Sequence, residues 1–170
     1  IGVILFFLEG MLMSAQLEHI EIKGVSVPHI HEKDPTLPIG SVQLVFKGGG
    51  QLFEDKEGLS RFSAKMLGEG TKELGAAEFA AKLERYAIEL NANRGNETFV
   101  IELTALKEYF DKGLQLAAQL FENPNITKDS VEKVATMFHG ELAAKENNYD
   151  HVANRELNGL LYEAPLAGYT

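Results

Sequence analysis

The stretch GLSRFSAKMLGEGTK, Gly58 to Lys72, has the periodicity of an amphipathic helix followed by a glycine-punctuated turn. Leu59, Phe62 and Met66 are spaced to face a core. Arg61, Ala64 and Lys65 stand at i, i+3 and i+4, so two cations and a small residue share a face beside that apolar stripe. KGGG, Lys47 to Gly50, lies just upstream and permits an unusual backbone path.

Working outward, period-two patterns precede this helix. His19 to Lys23, Val25 to Glu32 and Ser41 to Lys47 read as strands, separated by turn signals at Asp34-Pro35 and Leu37-Pro38. Val42, Leu44 and Phe46 share one face of the third. Downstream, Ala76 to Ala87 reads as a helix aligning Phe79, Leu83 and Tyr86. Glu89 to Asn93 and Glu97 to Leu103 read as strands about the hairpin signal NRGN, Asn93 to Asn96. The rest is helical. Phe110, Leu114, Ala117 and Phe121 form one stripe, closed by Asn123-Pro124. Val131 to Lys145 forms a long helix with Thr127 as N-cap and Asp129 in the first turn, and Tyr149 to Tyr162 forms another. The order βββ-α-α-ββ-α-α-α predicts an α+β domain, a mostly antiparallel sheet covered by helices.

The 170 residues are 45% hydrophobic, enough for one domain with a real core. A net charge of −9, spread along the chain, argues against nucleic-acid binding, which needs a basic footprint. With no cysteine, disulfides and thiolate metal sites are excluded. The apolar run opening IGVILFFLEGMLMSAQ, Ile1 to Gln16, is too short to span a membrane. Residues 1–16 read as the core and cleavage region of a signal peptide, or as an upstream segment with translation starting at Met11 or Met13. The first reading implies a periplasmic or secreted protein, the second a cytoplasmic one. Starting without Met and stopping at Thr170, the chain is expected to be part of a longer protein.

FKGGGQLFEDKEGLSRFSAKMLGEGTK, Phe46 to Lys72, resembles the motif region of the pitrilysin/insulinase family of zinc metallopeptidases, the inverted zincins. The family pattern is G-[IL]-[AS]-H-F-x-E-H-M-L-x-x-G-T, matched here by Gly58, Leu59, Ser60, Phe62, Met66, Leu67, Gly70 and Thr71. The likeness covers most of the chain from about residue 18. Its core, H-x-x-E-H, places two imidazoles on one metal with a Glu to activate the bound water. Here those positions are Arg61, Ala64 and Lys65. Ala64 takes no proton, and Arg61 cannot lose its own. A lysine cation about 4 Å from Zn²⁺ is repelled by roughly 8 kcal/mol at an effective dielectric of 20. The resemblance therefore implies the scaffold of a metallopeptidase without its catalytic residues or its metal.

The family's third zinc ligand is a Glu on a later helix, and Glu141 in VEKVATMFHGEL suits that position. NNYDHVANREL and LYEAPL parallel the family's next helix. Glu141 is expected to pair with Lys65 or Arg61, an ion pair in place of zinc; the alternative is an exposed Glu on a charged helix. ELNANRGNETFVIEL, Glu89 to Leu103, resembles the family's edge strand, which adds to an extended peptide by main-chain pairing. Leu90, Asn91, Ala92 and Asn93 would contact peptide by that analogy; an ordinary edge strand blunted by Asn is the alternative. His29 and His31, at i and i+2, share a strand face as a metal pair would. Without a third convergent group they read as surface histidines. His139 falls on a different side of its helix from Glu141, and His19 and His151 show no constellation. There is no phosphate-binding loop and no nucleophile elbow.

The resemblance thus implies an inactive subunit pairing with a homologous catalytic zinc-peptidase subunit, helping to bind a peptide or unfolded protein segment. No cofactor is expected in this chain, zinc residing in the partner. Residues 17–170 would make up most of the first of two related domains. A stand-alone peptide-binding or structural protein is the alternative, and an active zinc metalloendopeptidase a third reading, opposed by the lost Glu base.

Overall fold

The computed structural model describes residues 15–162. The signal-peptide reading therefore lies almost wholly outside the described residues. The chain divides into two units, one ending at Pro38 and the other starting at Ile39.

The first unit is a hairpin of β1 (Gln16–Ile22) and β2 (Val25–His31), antiparallel throughout. Lys23 and Gly24 form its turn, with φ of 50° and 80°. Two successive positive φ values are what a two-residue type I′ turn requires. Lys23, read from the pattern as the end of a strand, is thus a turn residue.

The second unit holds the sheet β3–β5–β4, built from β3 (Ile39–Lys47), β4 (Glu89–Arg94) and β5 (Thr98–Leu106). Five helices follow the expected order: α1 (Leu59–Leu67), α2 (Gly75–Arg85), α3 (Phe110–Glu122), α4 (Lys128–Glu146) and α5 (Tyr149–Leu161). The fold is α+β, and every strand pairing among the described residues is antiparallel. The single sheet expected from the pattern is instead two. One face of the larger sheet is polar, with Ser41 bonded to Thr104 at 3.0 Å and Gln43 to Glu102 at 3.0 Å. The other face contributes Leu103 and Ala105 to a core with Phe79, Ile88, Leu116, Ala117 and Leu120.

Two apolar stripes are rotated from their expected positions. On α3 the buried residues are Gly113, Leu116, Ala117 and Leu120, whereas Leu114 and Phe121 are 42% and 40% exposed. Gly113 packs on this face: a Cβ there would lie 3.1 Å from Leu103 Cδ1 and 3.4 Å from Ile88 Cγ2, so a larger residue would push those side chains back by a few tenths of an ångström. On α1, Met66 is buried and Phe62 half-buried, but Leu59 is 46% exposed and Ser60 takes the buried place.

The turn after α1 is sewn to the loop before α4. Asn125 N–H donates to Gly70 O at 2.8 Å, and Lys72 N–H to Asn123 O at 3.1 Å. Gly70 has φ +71°, and a Cβ there would meet Gly75 O at 2.5 Å. Thr127 then caps α4, accepting from Ser130 N–H while Ser130 Oγ accepts from Thr127 N–H. Between these caps Glu69, its side chain only 9% exposed, takes both oxygens to Lys133 Nζ of α4 at 2.8 and 2.9 Å. Removing that lysine leaves a buried carboxylate without its cation. Lys133→Ala is expected to lower stability by roughly 1–3 kcal/mol in urea unfolding at neutral pH; a change within a few tenths would show that the pair is idle.

Candidate functional site

Between the glycine-rich turn and α1 lie a 3-10 turn, Gln51–Phe53, and a short acidic loop. Gly58, at φ 84°, precedes the first turn of α1, and the Glu54 carboxylate accepts from the N–H groups of Gly58 and Ser60 at 2.7 Å each. Those donors have no partner within the helix, and the negative charge complements its positive end. The sequence reading assigned Glu54 no role and missed this cap.

Helix α4 is seated on α1 by Phe138. Its ring meets Phe62 edge-on, with centroids 6.0 Å apart at 82°, and the Arg61 guanidinium lies 5.2 Å from its centroid. Both are favourable aromatic geometries, each on the order of 1 kcal/mol. Glu141 follows Phe138 by three residues and so emerges from the same side of α4. Phe138 was not singled out from the sequence. The signal lay in its position one turn before Glu141.

Glu141 meets both cations of α1. Its Oε1 accepts from Lys65 Nζ at 2.5 Å and its Oε2 from Arg61 Nη2 at 3.2 Å. The expected ion pair is therefore formed, with both cations rather than one. Hydrogen bonding from Lys65 is the main cause holding the Glu141 carboxyl below its ordinary range; partial desolvation opposes it, and the charges of Lys65 and Arg61 add to it. Glu141 is 41% exposed, so solvent screens the cluster and its net contribution is about 1 kcal/mol rather than several.

The surroundings are more positive than this pair alone. Lys145, one turn beyond Glu141, has its pKa pushed down first by burial and then by the charges of Arg61 and Arg94, against an opposing pull from Glu141. Arg94, at the end of β4, lines a cleft of about 300 Å³ with Arg61, Ala64, Lys65, Ala92 and Asn93. A neighbouring hollow of about 310 Å³ shares Ala64 and Ala92 and adds Leu90, Asn91, Phe79 and Leu83. All four peptide-contact candidates, Leu90 to Asn93, thus line space that runs beside the Arg61–Ala64–Lys65 face. They sit on β4, which among the described strands pairs only with β5 and so forms one edge of its sheet.

This donor set does not fit zinc. Arg61 offers no lone pair, Ala64 no heteroatom, and the Lys65 amine donates to the one carboxylate left. Both Glu141 oxygens accept hydrogen bonds from cations, so none is presented to a metal. Nor is a general base placed where Glu stands in the motif, since Ala64 occupies that position. What the site offers is a fixed positive surface beside an open strand edge. His139, on the same helix, is exposed and makes no part of it.

An α+β domain whose inverted-zincin helix carries Arg, Ala and Lys, facing a lone Glu on a later helix, defines a metallopeptidase scaffold without its metal ligands. The match to a family model agrees: residues 29–168 fit insulinase (peptidase family M16). The chain belongs to that family. It is 40% identical over 158 residues to the non-peptidase homolog YmxG of Helicobacter pylori, covering 92% of this chain and 37% of that protein. It is 23% identical over 124 residues to an uncharacterized zinc protease of Rickettsia felis, covering 72% of this chain and 30% of the other. A peptidase M16 inactive domain from Pseudomonas fluorescens superposes with a TM-score of 0.77 at 19% identity, over 92% of this chain and 38% of that one. The chain therefore spans less than two fifths of each relative's length.

Because folding lowers the pKa of Glu141 from 4.5, its contribution to stability is complete above that value and is lost as the pH falls through the folded one. Glu141→Gln is accordingly expected to cost about 1 kcal/mol at neutral pH. The difference from wild type should vanish well below pH 4.5. Urea midpoints across that range measure it, and a gap that widens on acidification would contradict the ion pair.

Proposed function

We propose that the chain is the first metallopeptidase-like domain of a catalytically inactive M16-family protein. In this reading it pairs with a homologous subunit that retains H-x-x-E-H, and it helps hold peptide for that partner. The observation that carries the proposal is Glu141 held by Arg61 and Lys65, which puts an ion pair where a zinc site would need ligands. No zinc is taken up at this position; the catalytic ion belongs to the partner. Support comes also from the relative named as a non-peptidase homolog and from the fold shared with an inactive M16 domain.

Peptide would lie in the cleft between α1 and β4, adding as a strand along the β4 edge at Leu90 to Asn93. Arg61, Lys65 and Arg94 line this cleft, and Lys145 lies close enough to feel Arg61 and Arg94, so an acidic or carboxylate-bearing segment is favoured. The whole protein would act in the periplasm or outside the cell, with the cytoplasm as the alternative. No described helix is long and apolar enough to cross a membrane.

Affinity purification of the full-length protein from its own cells tests the pairing. The expected result is co-purification of a homologue carrying H-x-x-E-H, with peptidase activity that disappears when the homologue's motif is mutated. Purification without such a homologue, with peptide binding retained, would establish the stand-alone alternative. In the complex, Arg94→Glu is expected to weaken binding of an acidic extended peptide at least roughly tenfold, since a charge reversal at a steering cleft removes attraction and adds repulsion. Unchanged binding would remove the cleft from the proposal.

A further inference from the structure

The β1–β2 hairpin brings together a third group that the sequence did not reveal. Glu18 stands directly opposite His29 in the antiparallel register, and His31 lies two residues further along β2. Directly opposed and alternate residues share a face. The three side chains therefore project together at the end of the hairpin away from the Lys23–Gly24 turn. One donor atom from each lies within 4.8 Å of the others. The two imidazoles stack, with ring centroids 5.4 Å apart and planes 17° from parallel. His19 pairs with Pro28 and so lies on the opposite face, outside this group.

We infer that Glu18, His29 and His31 form a surface site for a divalent transition ion, with Zn²⁺ the ion that the donors suit best. Two imidazole nitrogens and one carboxylate oxygen make a three-ligand zinc set with a fourth position for water. A tetrahedral ion with bonds of about 2.0 Å needs its ligand atoms about 3.3 Å apart. The three side chains are exposed, and their rotation can close the remaining distance. One carboxylate against a dication leaves a local charge of +1, which solvent stabilises.

The ion would bridge the two strands, since Glu18 comes from β1 and both histidines from β2. A two-stranded sheet alone is only marginally stable in water. An ion bound to the paired strands and not to the open ones shifts that equilibrium by mass action. It would also fix the register, because a slip by one residue sends Glu18 to the other face. Ile20, Ile22, Val25 and Val27 share the metal's face nearer the turn, so the bridge would also hold that apolar row in place. The site lies in the unit ending at Pro38 and involves none of the α1 or α4 residues.

The test is zinc titration of the chelator-stripped, desalted full-length protein by calorimetry, paired with hydrogen exchange of the hairpin amides. One ion per chain is expected, together with slowed exchange over residues 16–31. Losing an outer-sphere partner weakens a metal site roughly 10–100-fold, and losing a ligand weakens it no less. His29→Ala, His31→Ala and Glu18→Gln should each lower affinity at least that much, while Glu141→Gln leaves it unchanged. Should a hairpin variant unfold, Cu²⁺ on the unaltered protein gives an independent reading: coupling to two imidazole nitrogens in its electron paramagnetic resonance spectrum supports the site. No binding at micromolar zinc, or binding indifferent to all three changes, would overturn it. Binding lost only with Glu141→Gln would place the ion between α1 and α4, overturning this site and the zinc-free reading of that one together.

Discussion

Glu141 reaches from α4 to two cations one turn apart on α1, and the chemistry open to the domain follows from that contact. In an H-x-x-E-H site the same carboxylate would share a dication with two neutral imidazoles. Here Arg61 and Lys65 carry the two positive charges themselves. The local sum, two cations against one carboxylate, equals that of a zinc ion with one carboxylate ligand. The α1–α4 interface thus holds its glutamate with the same local charge, through side chains that offer a metal no ligand at Arg61 and, at Ala64, no base. Packing supports the contact on both sides: Phe138 sits against Phe62 and Arg61, and Lys133 neutralises the buried Glu69 at the end of α1.

The features that would grip a peptide do not depend on a metal or a base. The β4 edge still runs beside α1, and the cleft between them is lined by small residues at Ala64 and Ala92 and by cations at Arg61, Lys65 and Arg94. Small residues leave room for a main chain to approach. Fixed cations draw negative charge into a protein whose net charge is −9. A surface of this kind suits binding and orientation, which is the part of peptide handling that needs no metal.

Local patterns carried most of the fold. The helix over the motif, the NRGN hairpin and the Thr127 cap all rest on neighbours a few residues apart, and each forms where its local signal lies. Two of the misreadings concern which side of an element faces inward. On α3 Gly113 lies on the buried side with Leu116 and Leu120, in place of Leu114 and Phe121, and a glycine is invisible to a count of apolar residues. On α1 Ser60 is buried and Leu59 exposed, with the Ser60 N–H held by Glu54 at the start of the helix. The site was legible where a motif placed its residues in one helix, and Glu141 was legible through the spacing of that motif. Long-range partners were not: Phe138 and the Glu69–Lys133 pair depend on how distant segments meet. The approach of Glu18 to His29 and His31 follows instead from a local turn at Lys23–Gly24, which sets the register of the whole hairpin.

Whether a metal enters between α1 and α4 decides between an ion pair and a zinc site at Glu141. Anomalous difference density at the zinc edge, from crystals of the full-length protein grown with zinc, locates every bound ion directly. The expected map has no peak between α1 and α4, with Arg61 and Lys65 still joined to Glu141. A peak about 2 Å from the Glu141 carboxylate, with Lys65 swung away, would show that the domain has kept a zinc site after all.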